Sequence, residues 1–241
     1  MRRSHVAWRA VPTCVAALIA CTVWGRPLMA EKPRVATFEC DITPPLGQPL
    51  FSGDLLTKVS EPLLAKGVVL ESGGKRVVLC ALDWCMVSNG THLSMRRRLA
   101  EAVGGSPDDV AVQTLHQHNA PMADIDAQRL LAQQGDATAH VDPEWLEATE
   151  RRMADAARAA VARLAAFDRV GTGKGQVDRV ASNRRVRDAQ GRIPGRTSLA
   201  APALRELPEG TIDPFVRTVT FAAGDKPLVR LHYYATHPQV K

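Results

Sequence analysis

The chain has 241 residues, with 31 lysines and arginines against 25 aspartates and glutamates, and a formal charge of +6 with neutral histidines. Apolar residues at 45% and charged residues at 23% exclude both a disordered polymer and a membrane bundle. The length suffices for one large domain or two small ones with a buried core.

The charge is unevenly placed. The first thirty residues hold four arginines and no acid, and removing those four leaves 27 basic side chains against 25 acidic ones, a net of +2. Arg2, Arg3 and Arg9 precede an apolar run from Val11 to Trp24, the plan of an export signal. The run is too short and interrupted for a transmembrane helix. Two processing readings stand: cleavage after Ala30, or cleavage after Ala20 in a lipoprotein box, Leu18-Ile19-Ala20-Cys21, with Cys21 lipidated. A buried N-terminal helix is opposed by the flanking arginines and by the break at Trp24-Gly25-Arg26-Pro27. Residues 1–30 are therefore read as a leader of an exported protein and residues 31–241 as the domain. With no basic stripe interleaved with aromatics, which are only 5% of the chain, nucleic-acid binding is not expected.

Along the domain, Arg34 to Cys40 reads as a strand that enters the Pro/Gly loop Asp41-Ile42-Thr43-Pro44-Pro45-Leu46-Gly47. Gly67–Glu71 and Arg76–Asp83 read as a hairpin turned at Ser72-Gly73-Gly74-Lys75. The second of these runs is almost continuously apolar, as expected for a central strand covered on both faces. A helix is predicted from Thr91 to Val103, ended by Gly104-Gly105, with Arg96, Arg97 and Arg98 as a solvated face of which one member pairs an acid. A strand from Asp109 to Leu115 leads into His116-Gln117-His118-Asn119-Ala120-Pro121. Asp142 caps a long helix, Pro143 to Ala166, and Phe167 to Asp178 is a further strand. Residues 179–213 are loop-like, and a hairpin of Phe215–Phe221 and Leu228–Tyr234 closes the chain before Ala235-Thr236-His237-Pro238. The fold class is α/β, a mixed β-sheet with helical cover, and its ending on an uncompleted histidine loop reads as incomplete at the C-terminus.

Three cysteines follow the leader, Cys40, Cys80 and Cys85, an odd number without a CxxC spacing. A thiolate zinc site is poorly supported, and the choice between a disulfide and buried small apolar residues stays open. The clearest chemistry is His116 and His118 at a strand end, projecting to one side if extended geometry persists. Imidazole is a common zinc ligand and a catalytic site needs about three protein ligands, but a lone His-x-His is weak evidence, and one core and one exposed histidine is the plainer reading. His237 ends a second strand, so two loops on neighbouring strands of one sheet would converge on one metal. His92 reads as a surface residue, His140 as loop and His232 as a strand residue. Asp83 and Asp41 read either as holders of a histidine ring or as local caps. Arg184, in the loop after Asp178, reads as a solvated arginine or as a fork for a carbonyl or carboxylate. No nucleophile elbow, dinucleotide fingerprint or Walker loop is present in the sequence.

In this order the motifs resemble the neutral/alkaline non-lysosomal ceramidase family. The resemblance runs through Asp41–Gly47, Leu82-Asp83-Trp84-Cys85-Met86-Val87-Ser88, Leu115–Pro121, Gly173–Asp178 with Ser182-Asn183-Arg184-Arg185, and Tyr234–Pro238. It implies a zinc amidase that cleaves the N-acyl bond of a ceramide-like lipid amide, with peripheral membrane association. It further implies His116 and His237 as zinc ligands, and His118 and Arg184 as groups around the substrate amide. The family's other ligands, a Glu and a Tyr, and its serine loop match nothing up to Lys241. The resemblance therefore implies weak zinc affinity and little hydrolysis by residues 1–241 alone. Leu115, Gln117 and Asn119-Ala120 depart from the family's Thr-His-Thr-His-Ser-Gly-Pro. A non-catalytic binding module on the same scaffold, and a metallohydrolase of another ester or amide, are the alternatives.

Overall fold

The computed structural model describes residues 31–135, 140–193 and 207–237. The leader and its cleavage sites, and Pro238 onward, lie outside the described residues. Ten strands and three helices follow in chain order among them. Strands β1 (Arg34–Asp41), β2 (Leu64–Ser72), β3 (Lys75–Leu82), β5 (Val110–Thr114) and β7 (Ala165–Ala166) make one sheet, in the order β5-β3-β2-β1-β7. Only β5 is parallel to its neighbour, β3, and the other pairs are antiparallel. Strands β8 (Arg169–Gln176), β9 (Phe215–Ala223) and β10 (Lys226–Tyr233) form an antiparallel sheet in the order β10-β9-β8. A short parallel pair, β4 (Met86–Val87) and β6 (Met122–Ala123), extends the ends of β3 and β5. The expectation of an α/β mixed sheet with helical cover is met.

Strand alternation assigns the two faces of the larger sheet. Ala36, Phe38, Ala65, Val69, Val78, Cys80, Leu82, Val110 and Val112 face helices α1 (Asn89–Val103) and α3 (Pro143–Val161). Val35 and Val68 face the other way and meet Phe167 and Phe221 between the sheets, where the two phenyl rings lie 5.1 Å apart, edge to face. The β3 run is apolar throughout because both of its faces are covered. Gly67 is needed where Phe38 crosses its strand: a Cβ there would stand 2.1 Å from the ring.

Several boundaries differ from the sequence reading. Helix α3 ends at Val161, and Ala165-Ala166 turn back to pair with Arg34-Val35. Alanine favours continued helix, but Phe167 is drawn into the inter-sheet core, and its N–H donates to Pro33 O at 2.9 Å. Helix α2 (Ile125–Gln133) was not expected: it is nine residues long and buries no residue outright. Asp124 starts it, accepting from the amides of Asp126 and Ala127, both at 3.1 Å. Two of the three α1 arginines, not one, meet acids. Arg98 reaches the buried Glu150 at 2.9 Å, and Arg96 reaches Asp108 at 3.3 Å and the Pro107 carbonyl at 2.6 Å. No helix of the described residues is long and apolar enough to cross a membrane.

Candidate metal centre at the strand ends

The parallel β3–α1–β5 crossover brings the ends of β3 and β5 to one edge of the sheet. Beyond them the two segments stay paired: Leu115 donates to Leu82 O and His116 to Trp84 O, both at 3.0 Å, and Cys85 donates to Pro121 O at 3.1 Å. The strand itself ends at Thr114, and His116 has φ 63°, a left-handed backbone that side-chain-bearing residues rarely hold. Strand alternation is therefore not what unites His116 and His118; the turn at His116 does. Their ring centroids lie 5.1 Å apart, at 83° between planes.

The end of β10 delivers the third ring. The His237 ring centre stands 4.9 Å from that of His116 and 4.7 Å from that of His118, again nearly perpendicular at 85° and 86°. The two histidine loops meet, but they come from β5 and β10 of different sheets and not from neighbouring strands of one sheet as expected. Arg184 is near enough to act electrostatically on both His118 and His237. Its loop is pinned by Asn183, which receives the support of Glu209 O at 2.7 Å from its amide and of Thr211 O at 3.1 Å from its side-chain NH2. Ala181, Ser182, Ile212 and Thr236 line a cleft of about 360 Å³ beside His116 and His237.

Two members of the site were not among the candidates read from sequence. Phe51 places its ring 4.5 Å from His118 and 5.9 Å from His116. It sits in a hairpin-like loop closed by Gly47 N–H to Leu56 O at 2.7 Å and tied to the histidine loop by Phe51 N–H to Ala120 O at 3.0 Å. No sequence motif marks it. Cys85 is buried, with Sγ 3.5 Å from His116 Nδ1, and its carbonyl accepts from the same nitrogen at 3.0 Å. A carbonyl only accepts, so Nδ1 carries the proton and Nε2 keeps the lone pair. Its position directly after the β3 end, opposite the histidine loop, was the available signal. All three described cysteines are free. Burial pushes the Cys40 thiol to about 11 and also raises those of Cys80 and Cys85, so all are neutral near pH 7.

The remaining candidates are placed elsewhere. Asp83 accepts from the Leu64 amide at 2.9 Å, a tie to the start of β2 and not the helix or turn cap read from sequence, while Asp41 accepts from the Thr43 amide at 2.7 Å and acts as a local cap. His92 Nε2 meets Val112 O at 3.2 Å, the His140 amide donates to Gln128 at 2.6 Å, and exposed His232 meets Thr218 Oγ1 at 2.9 Å.

Electrostatics favour neutral rings. Burial, reinforced by the neighbouring imidazoles and Arg184, holds His118 and His237 below the ordinary histidine value. Neutral imidazole is the ligating form. Cys85, His116 and His118 each offer a donor atom, and these lie within 4.8 Å of one another. Among the described residues, buried His237 Nδ1 has no hydrogen-bond partner. An orphaned nitrogen beside two further histidines is a set of donors that fits a metal ion.

The fold is similar to that of neutral ceramidase. The crystal structure of neutral ceramidase from Pseudomonas aeruginosa superimposes with a TM-score of 0.60 at 18% identity, covering 86% of this chain and 32% of that one. A ceramidase complexed with C2 superimposes with a TM-score of 0.57 at 17% identity, covering 86% of this chain and 31% of that one. The chain therefore spans about a third of the length of the structures it matches. No family model and no curated protein matches the sequence.

Proposed function

We propose that the protein is an exported zinc-dependent amidohydrolase of N-acyl amide bonds, with ceramide-like lipid amides as substrates taken at a membrane surface. The observation that carries this reading is the convergence of His116, His118 and His237 from two strand-end loops, with Arg184 beside them, in a fold similar to that of neutral ceramidase. Zinc held by His116 and His237, when bound, polarises a carbonyl and makes water acidic enough to attack at neutral pH.

The chain's own residues supply the rest. Arg184 offers a planar fork of donors to the substrate carbonyl oxygen and stabilises the charge that develops there. His118, kept neutral by burial, takes a proton at one ring nitrogen from the attacking water and returns it to the leaving amine. Phe51, 40% exposed, walls the histidines with an apolar face and screens them from bulk water. Leu46, Leu55 and Val59 are exposed in the same loop region and suit an apolar acyl chain.

The test is release of free fatty acid from a panel of N-acylsphingosines by the zinc-loaded protein. Metal-dependent release, reduced at least ~100-fold in Arg184→Ala, supports the reading. Release at the same rate from the His116→Ala, His237→Ala double variant overturns it.

A further inference from the structure

We infer that the cleft between the two sheets is a second ligand site, separate from the histidine cluster, and that it takes a long-chain fatty acid as the free carboxylate. Val35 and Val68 of the larger sheet meet Phe167 and Phe221. Beside this contact the sheets part around a cleft of about 760 Å³, within the usual size range of small-molecule sites. The pairing of β1, β2, β3 and β5 lays two rows of side chains across its floor. Thr37, Val68, Leu79 and Ala111 stand side by side in the first row, and Glu39, Lys66, Ala81 and Gln113 in the second. Val229 and Leu231 of β10 face them with apolar side chains. A packed sandwich fills the space between two such faces with large interlocking side chains. Thr37, Ala81 and Ala111 are too small to do so. Thr37, Lys66, Ala111 and Gln113 accordingly stay exposed although β10 lies across the cleft from them.

The lining selects the ligand. Val68, Leu79, Val229 and Leu231 suit a hydrocarbon chain. The charged groups are three cations, Lys66, Arg163 and Arg230, against one acid, Glu39. The Arg163 side chain donates to backbone carbonyls, Thr37 O at 3.3 Å and Ala159 O at 3.4 Å. Among the described residues neither Lys66 nor Arg230 makes an ion pair, and Glu39, directly across from Lys66, makes none either. An excess of positive charge beside an apolar cleft attracts a carboxylate head and repels an ammonium one. The cleft is recessed between sheets, so a single chain enters it and a bilayer surface does not. His116, His118 and His237 are not among its lining residues. The inference goes beyond the proposed function and stands without it. Where that function holds, the site would retain the acid that the reaction releases and let the amine go.

The experiment is isothermal titration calorimetry of the whole 241-residue chain in EDTA, with dodecanoate, dodecylamine and dodecanol, each below its aggregation threshold. The expected result is a single dodecanoate per chain, bound about ten-fold or more tighter than the amine or the alcohol, the worth of one charge-assisted contact. Lys66→Glu removes that contact and Ala111→Phe fills the cleft; both positions are exposed, so circular dichroism stays unchanged. Each should weaken dodecanoate about ten-fold or more. The His116→Ala, His237→Ala double variant should bind it as the wild type does. Absent binding of dodecanoate, or equal binding of dodecylamine, overturns the inference. So does unchanged affinity in both Lys66→Glu and Ala111→Phe. Loss of binding in the double histidine variant overturns it too, by moving the acid to the histidine cluster. Selectivity among the three head groups in the wild-type chain decides the matter even if a variant fails to fold. Dodecanoate bound by a protein that hydrolyses no N-acylsphingosine refutes the hydrolase reading and leaves this inference standing.

Discussion

Single residues carry unequal burdens here. Glu71 is 7% exposed and receives both Arg34 and Arg76, the latter at 2.7 Å. Hydrogen bonds from Arg76 first, then Arg34, hold its carboxyl below the ordinary 4.5. A depressed acid stabilises the fold above its unfolded value, and that contribution disappears as pH falls through the lower, folded value. Urea unfolding should therefore show stability falling from about pH 5 downward, and Glu71→Gln should flatten that slope. At pH 7 the substitution should cost roughly 1–2 kcal/mol, since the two guanidinium partners are part-exposed and screened. Gly67 is constrained by space instead: a methyl group would overlap the Phe38 ring, whose surroundings are fully packed. Gly67→Ala should lose about 1–3 kcal/mol of stability by urea titration, and Phe38→Leu should restore part of it. His116 is constrained by its left-handed backbone, by the Cys85 carbonyl and by its place in the ring cluster.

Elements form where local chemistry and burial agree. Asp142 was legible as the cap of α3, and its carboxylate accepts from Glu144 at 2.9 Å and Trp145 at 3.2 Å. Asp142→Ala should cost about 0.5–2 kcal/mol in thermal or urea unfolding. The same amide end is tied to the Phe51 loop, because buried Gln48 donates to His140 O at 2.8 Å and accepts from Asp142 N at 3.1 Å. Gln48→Ala strands both groups and should loosen residues 47–56, read as faster amide exchange there than in β2 or β3. Where sequence reading failed, a distant partner had won. Ala162–Ala166 carry helical propensity, yet β7 forms because Phe167 must reach Phe221. Helix α2 is short and buries no residue outright, so it does not read as a core helix, and the Asp124 cap is what marks its start. The strands β1, β2, β3 and β10 were legible because their alternation or continuous apolarity matches the faces they bury.

Across the whole molecule, the candidate metal site draws on both sheets. His116 and His118 follow β5 in the larger sheet, and His237 follows β10 in the smaller one. An ion shared by the two loops would tie the sheets together, and binding to the folded state alone would raise stability. At free zinc a hundredfold above its dissociation constant the gain is about 2.7 kcal/mol, or roughly 5–10 °C in Tm for a domain of this size. Differential scanning calorimetry with zinc, then with excess EDTA, checks this; an unchanged Tm would mean the two loops share no ion.

The sequence by itself determined the α/β class, the apolar central strand, the αL glycine stop after α1, and the residue types His116, His118, Arg184 and His237 at loop positions. These follow from periodicity, caps and turn chemistry, all local in the chain. Tertiary structure alone decided that the rings meet at 4.7 to 5.1 Å, that Cys85 and Phe51 belong beside them, and that Asp83 and Asp41 do not. Those facts depend on the parallel β3–β5 pairing and on the second sheet packing through Phe167 and Phe221. Contacts between residues tens to more than a hundred positions apart leave no periodic trace, because local backbone preference is blind to which distant surface will bury a side chain.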